Sequence, residues 1–161
     1  MKKKIALWGV FTALALIFSY VETLIPNMIG IPGIKLGLAN LLIVFMLYKQ
    51  GVKEAGVLSL VRILLSGALF GSLFSILYSL VGASFSIVIM WLLKRANKFS
   101  VVGISMAGGV AHNIGQLVVA CVVLESMNIA YYIPVLMVSG TLTGIVIGVL
   151  SNELIKRLQM F

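Results

Sequence analysis

Aspartate does not occur in this chain of 161 residues, and only Glu22, Glu54, Glu125 and Glu153 are acidic. A magnesium–diphosphate enzyme holds its metal with clustered carboxylates, and no such cluster exists here. The single cysteine, Cys121, rules out an internal disulfide or a cysteine-based metal cluster and reads as a small apolar packing residue. One histidine, His112, without a second ligand at metal-binding spacing gives no metal site. A GxxxxGK[ST] motif is missing, so the chain has no P-loop of its own for ATP. Neither a Ser–His–acid nor a Cys–His arrangement is credible. The absences point to a binder with no cofactor, not to a catalyst.

Charge is scarce as well. Only 10% of the residues are charged, against about 25% in soluble domains. Hydrophobic residues make up 61%, and the mean hydropathy is +1.19. These values describe an integral membrane protein. Leu/Ile/Val-rich runs with few aromatics favour helices, since a membrane barrel shows short alternating segments. The sequence is therefore expected to form an all-α membrane protein, one domain over residues 1–161. A net charge of +8 raises nucleic acid as a partner. Its distribution argues for membrane orientation instead.

Apolar runs separated by charges or turn residues fall at 5–25, 35–48, 53–70, 72–93, 101–124 and 130–155. The N-terminal run has a basic start but no small-residue cleavage site after it, so it reads as a first spanning helix. With the N-terminus inside, Lys2, Lys3, Lys4, Lys49, Lys53, Lys94, Arg95, Lys98, Lys156 and Arg157 are cytoplasmic, ten of the twelve basic residues. By the positive-inside rule this predicts a compact bundle of six transmembrane helices with both termini in the cytoplasm. The second run is short, about 21 Å of helix at 1.5 Å per residue, so it is expected to start below the outer surface. The preceding loop, "ETLIPNMIGIPGIKLG", carries Pro26, Pro32, Gly30, Gly33 and Gly37 among largely apolar side chains. It reads as a cap over the outer side, the alternative being a loop resting in the lipid headgroups.

Within the bundle the polar residues are few. Arg62 lies mid-span, where an arginine costs roughly 2.5–3.5 kcal/mol on insertion scales. Such residues face a cavity or a partner. His112 and Gln116 are four apart and share a helix face, while Asn113 is about 100° away. Depth along the helices brings Lys35, Asn40, Arg62, Tyr78, His112 and Gln116 to the outer half, with Ser79 and Ser75 beside them. Most are hydrogen-bond donors, and the N-terminus of the second helix adds its positive dipole end. Small anionic or carbonyl-rich molecules suit that set. A purely structural role, a His–Asn–Gln group joining helices, is the competing reading. Gly140, Gly144 and Gly148 form a packing stripe, and Gly9/Ala13 and Ala15/Ser19 form two small-residue pairs.

At "IPGIKLGLANLLIVFML", "SLVRILLSGALFGS" and "GISMAGGVAHNIGQLVVA" the chain resembles the bacterial membrane proteins called heptaprenyl diphosphate synthase component I, also termed Gx transporters. In size, topology and first loop these look like the S components of energy-coupling factor transporters. That resemblance implies a multi-pass protein of the bacterial cytoplasmic membrane. It implies a small-molecule ligand held by Lys35, Asn40, Arg62, Tyr78, His112, Asn113 and Gln116. It also implies docking through Gly9, Ala13 and Ala15 onto a shared transmembrane coupling subunit driven by two ATPases. Gly9 stands where that docking motif usually has alanine. The synthase name implies something else: an accessory component of heptaprenyl diphosphate and quinone side-chain synthesis, beside a soluble prenyl diphosphate synthase. Catalytic prenyl synthases carry DDxxD motifs, which a chain without aspartate cannot supply. A scaffold of a membrane redox complex is a third reading.

Overall fold

A computed structural model describes residues 2–24 and 37–158 of the chain, with side chains from residue 6 onward. Lys35 and most of the expected cap, residues 25–36, lie outside the described residues. Six α-helices follow one another: α1 (Lys2–Leu24), α2 (Leu38–Lys49), α3 (Val52–Phe70), α4 (Leu73–Arg95), α5 (Val101–Val123) and α6 (Ile133–Arg157). A 3-10 turn, Met127–Tyr132, precedes α6. No strand occurs among the described residues.

Local chemistry sets the helix boundaries. Ser72 caps α4 through a capping box with Ser75, each hydroxyl accepting the other's backbone N–H. Ser100 caps α5 by accepting the Gly103 N–H at 3.1 Å. Gly51 turns the chain between α2 and α3 at φ 126°, a conformation that side chains resist. Pro134 sits in the first turn of α6, where its missing N–H leaves no gap.

Four segments are long and apolar enough to cross a bilayer: Ala6–Leu24, Leu73–Arg95, Val101–Val123 and Met127–Arg157. Their outward faces are apolar; Leu73 and Tyr131 are both 85% exposed. The protein is a multi-pass membrane protein. α3 has 19 residues but carries Lys53, Glu54 and Arg62. α2 has only 12, about 18 Å of helix.

Despite its length, α2 is the core of the bundle. Leu42 to Leu47 are all buried, as expected of a helix enclosed on every side. Phe45 stacks on Phe11 of α1 at 5.4 Å between ring centroids. Ala55 and Leu58 of α3, Met90 of α4, Ile104 of α5 and Ile147 of α6 complete the cluster. Two polar side chains bind α2 carbonyls: Ser151 Oγ donates to Leu41 O at 3.2 Å, and Lys94 Nζ donates to Leu47 O at 2.6 Å.

Consecutive helices are antiparallel, so Lys49, Lys53, Lys94, Arg95, Lys156 and Arg157 gather at one end, called here the basic end. α5 and α6 meet backbone to backbone. A Cβ on Gly140 would lie 2.8 Å from Gly109 O, one on Gly144 2.5 Å from Met106 Cα, and one on Gly148 2.7 Å from Val102 Cα. The glycine stripe of α6 therefore packs inside this bundle.

Candidate functional site

A cavity of about 210 Å³ runs from the middle of the bundle toward the end remote from the basic residues. α2 supplies Gly37 and Asn40, α3 supplies Arg62, Ser66 and Gly67, and α4 supplies Ser75 and Ser79. His112 and Gln116 close it from α5, and Ser19, Glu22 and Thr23 from α1. A smaller space of about 60 Å³ shares Gly37, Asn40, His112 and Gln116 and continues between α5 and α6 past Asn113 and Gly144.

The short α2 explains how Asn40 reaches this depth. Its first turn lines the same spaces as His112, the midpoint of α5, and Gly144, beside the midpoint of α6. The helix thus begins inside the bundle, with its N-terminus facing polar side chains. Gly37 adopts a left-handed conformation there (φ 74°), and its carbonyl accepts the Asn40 N–H at 2.8 Å. Arg62 Nη2 donates to Asn40 Oδ1 at 3.4 Å, which orients both groups. His112 and Gln116 pass over the α4 backbone at Gly82. A Cβ on Gly82 would lie 3.0 Å from Gln116 Cγ and 3.1 Å from His112 Cε1. Glycine at 82 makes that approach possible.

Four of the expected residues, Asn40, Arg62, His112 and Gln116, thus share one cavity. Asn113 lines only the smaller space, and its Nδ2 donates to Leu136 O at 2.8 Å. Tyr78 lines neither space. Ser75 and Ser79, one turn apart, face the larger cavity, so the helical rotation of about 100° per residue carries Tyr78 aside. Ala15, expected on the docking face, is completely buried, and Ser19 is buried as well, at 7% exposure. The Phe11–Ala15–Ser19 stripe is the face α1 turns inward. Gly9 and Ala13 are exposed on a different face of the helix.

Glu22 was legible only as an acidic residue near the outer end of the first helix. In the structure its Oε1 accepts the Leu38 N–H at 2.8 Å, and its carboxylate acts electrostatically on Arg62. The cavity therefore holds a carboxylate as well as a guanidinium. Ser66 and Gly82 were also missed, because a serine and a glycine in a membrane helix carry no signal of which way they face. Among the described residues no group of three or more His, Cys, Asp or Glu gathers as metal ligands would.

A further cleft, about 280 Å³ and almost wholly apolar, opens between α3 and α4. Gly56, Ser59, Leu60 and Ile63 line one side, and Leu80, Ala83, Ser84, Ile87 and Val88 the other. Ile63 lines this cleft and the polar cavity alike.

Helices apolar toward lipid and a polar cavity between them define a helical, multi-pass membrane component. The chain belongs to the heptaprenyl diphosphate synthase component I family, whose sequence profile matches residues 11–154. No curated protein and no solved structure matches it.

Proposed function

We propose that this protein is the substrate-binding membrane subunit of an energy-coupling factor–type importer, taking a small polar or anionic solute into the cavity around Arg62. In this reading six helices span the membrane, both termini are cytoplasmic, and the cavity loads from the outer side. One observation carries it: Asn40, Arg62 and the His112–Gln116 pair converge from three helices on one cavity. Lipid would penalise each of these groups, and a cavity with hydrogen-bond donors on several walls suits a ligand rich in acceptors. ATP would be used by partner ATPases through a shared coupling subunit.

The test is to purify the protein in mild detergent from its native membrane, denature it, and identify released molecules by mass spectrometry. A stoichiometric polar or anionic compound supports the reading and names the solute. Arg62→Ala and His112→Ala proteins that stay folded and transport that compound normally would sink it.

A second reading is favoured by the family description and by the apolar cleft beside the cavity. The protein would then be an accessory membrane component of prenyl diphosphate or quinone side-chain synthesis, assisting a soluble synthase without making bonds itself. Release of an isoprenoid in the same experiment, with co-purification of an aspartate-rich synthase, supports this alternative.

A further inference from the structure

We infer that the solute is a small zwitterion, an amino acid or a close analogue, with its carboxylate at Arg62 and its ammonium toward the remote end of the cavity. This rests on the cavity being the importer's binding site and names the class of molecule it takes.

The deep part of the cavity offers donors. Arg62 lies in the middle of α3, eight residues or about 12 Å short of Phe70 at the remote end. Its guanidinium is always charged, and its Nε is buried with no hydrogen-bond partner among the described residues. Its Nη2 donates to Asn40 Oδ1, which leaves the Asn40 Nδ2 as a further donor beside it. A buried N–H of this kind calls for an acceptor, and a carboxylate supplies one with the help of its charge.

Acceptors lie toward the remote end. Thr23, in the last turn of α1, and Ser75, in the first turn of α4, both line the cavity. A hydroxyl has one hydrogen, and in each case a helix carbonyl already takes it. Thr23 Oγ1 donates to Tyr20 O at 2.6 Å, and Ser75 Oγ to Ser72 O at 2.8 Å. Ser66, one turn beyond Arg62, donates to Ile63 O at 3.4 Å. These oxygens meet the cavity as acceptors only. Glu22 adds a carboxylate at the level of Leu38, two residues or about 3 Å of helix from Asn40. Ser19 lines the same wall one turn inward of Thr23, and its buried hydroxyl has no partner among the described residues. Both ends of the cavity therefore hold a polar atom that a ligand would satisfy.

Charge and size narrow the class. Among the described residues the lining carries two full charges, Arg62 and Glu22, of opposite sign. A phosphate or a dicarboxylate would set its second negative charge against Glu22 and the lone pairs around it. An amine without a carboxylate would meet the Arg62 guanidinium with a like charge. A neutral polyol would displace water from that guanidinium and bring no charge to it. A zwitterion answers both ends. The cavity measures about 210 Å³; since about 150 Å³ admits benzene, it has room for roughly eight non-hydrogen atoms. Ala39, Ile63 and Phe70 line it as well and offer apolar surface to a short side chain.

The experiment uses the full chain in phosphatidylcholine nanodiscs, with binding measured by calorimetry. The probes are the proteinogenic amino acids, succinate and inorganic phosphate. For the amino acid that binds most tightly, the matching acid without its amino group and the matching amine without its carboxylate are measured next. An amino acid is expected to bind more tightly than succinate or phosphate, and loss of either charged group should weaken it at least tenfold. Glu22→Gln, which keeps an oxygen for the Leu38 N–H, should narrow the gap between amino acid and acid at least fivefold. Arg62→Gln should narrow the gap between amino acid and amine. Succinate or phosphate as the tightest probe, an acid that binds as well as its amino acid, or no binding of any amino acid overturns the assignment. Equal weakening of amino acid and acid by Glu22→Gln makes Glu22 a structural residue and overturns the orientation. If mass spectrometry then finds a released anion, this inference fails and the importer reading stands. If the protein releases no polar solute and binds no probe, the importer reading fails with it.

Discussion

Glu22 Oε1 accepts the backbone N–H of Leu38 across 2.8 Å, joining the end of α1 to the first residue of α2. Fifteen residues of chain separate the two, so this bond fixes where α2 begins. Glu22→Ala leaves the half-buried N–H without that acceptor, a loss of about 0.5–1.5 kcal/mol, the net worth of a typical hydrogen bond. Glu22→Gln keeps an oxygen in place and should retain most of the stability. Melting in detergent, followed by fluorescence-detected size exclusion, checks both variants. Equal losses would mean that the charge, not the hydrogen bond, holds the junction.

Asn113 and Gln116 should separate structure from binding. The Asn113 amide is committed to Leu136 O, so Asn113→Ala is expected to lower stability by about 0.6–2 kcal/mol and leave ligand retention intact. Gln116 lines both polar spaces. Gln116→Ala should reduce retained ligand at least fivefold with little change in melting temperature. Mass spectrometry of released ligand, normalised to folded protein, measures the contrast.

Gly144 is the least substitutable glycine of the α6 stripe. A Cβ there meets Met106 Cα and, at 2.8 Å, Ser105 O. Both are backbone atoms that yield only if α5 and α6 separate. Gly144→Ala should destabilise by about 1–3 kcal/mol, the range for overpacking, whereas Gly9→Ala, with nothing within 4 Å of the added atom, should be neutral. Parallel melting curves decide it.

The exposed pair Gly9 and Ala13 offers a test of partner docking. Ala13→Leu adds bulk on the outer face of α1, away from the buried Phe11–Ala15–Ser19 stripe. It is expected to abolish co-purification with a coupling subunit while leaving ligand content unchanged. Ala15→Leu should fail earlier, by disrupting the core. Pull-down yield and bound ligand, measured on the same preparations, distinguish the two.

The helices were legible because each apolar run is bounded by charge or by turn residues, and even the short α2 shows in its own hydrophobic run. Depth was legible too: Asn40, Arg62, His112 and Gln116 lie at similar heights on their helices and do share a cavity. Rotation was not. Hydrophobicity on all sides of a membrane helix erases the amphipathic signal that would separate Tyr78 from Ser79, or the inner Ala15 from the outer Ala13. Glu22 escaped notice for a related reason. Its contact with Leu38 depends on how far α2 sinks into the bundle, which neither residue encodes alone. The α3–α4 cleft depends on how two helices are rotated and spaced, and only the close approach of Ile76 to Gly67 is set by a residue type the sequence shows.

The short α2 also has an electrical consequence. About 18 Å of helix in a hydrocarbon layer of about 30 Å leaves about 12 Å that α2 itself does not span. In the importer reading, water filling the cavity would carry the potential of the outer aqueous phase inward as far as Asn40. The transmembrane voltage would then fall mostly across the basic half of the protein. A charged ligand would reach Arg62 having crossed little of the field, and passage onward would meet nearly all of it, about 2.3 kcal/mol per charge per 100 mV. Loading would be almost indifferent to voltage, and release toward the basic end would not.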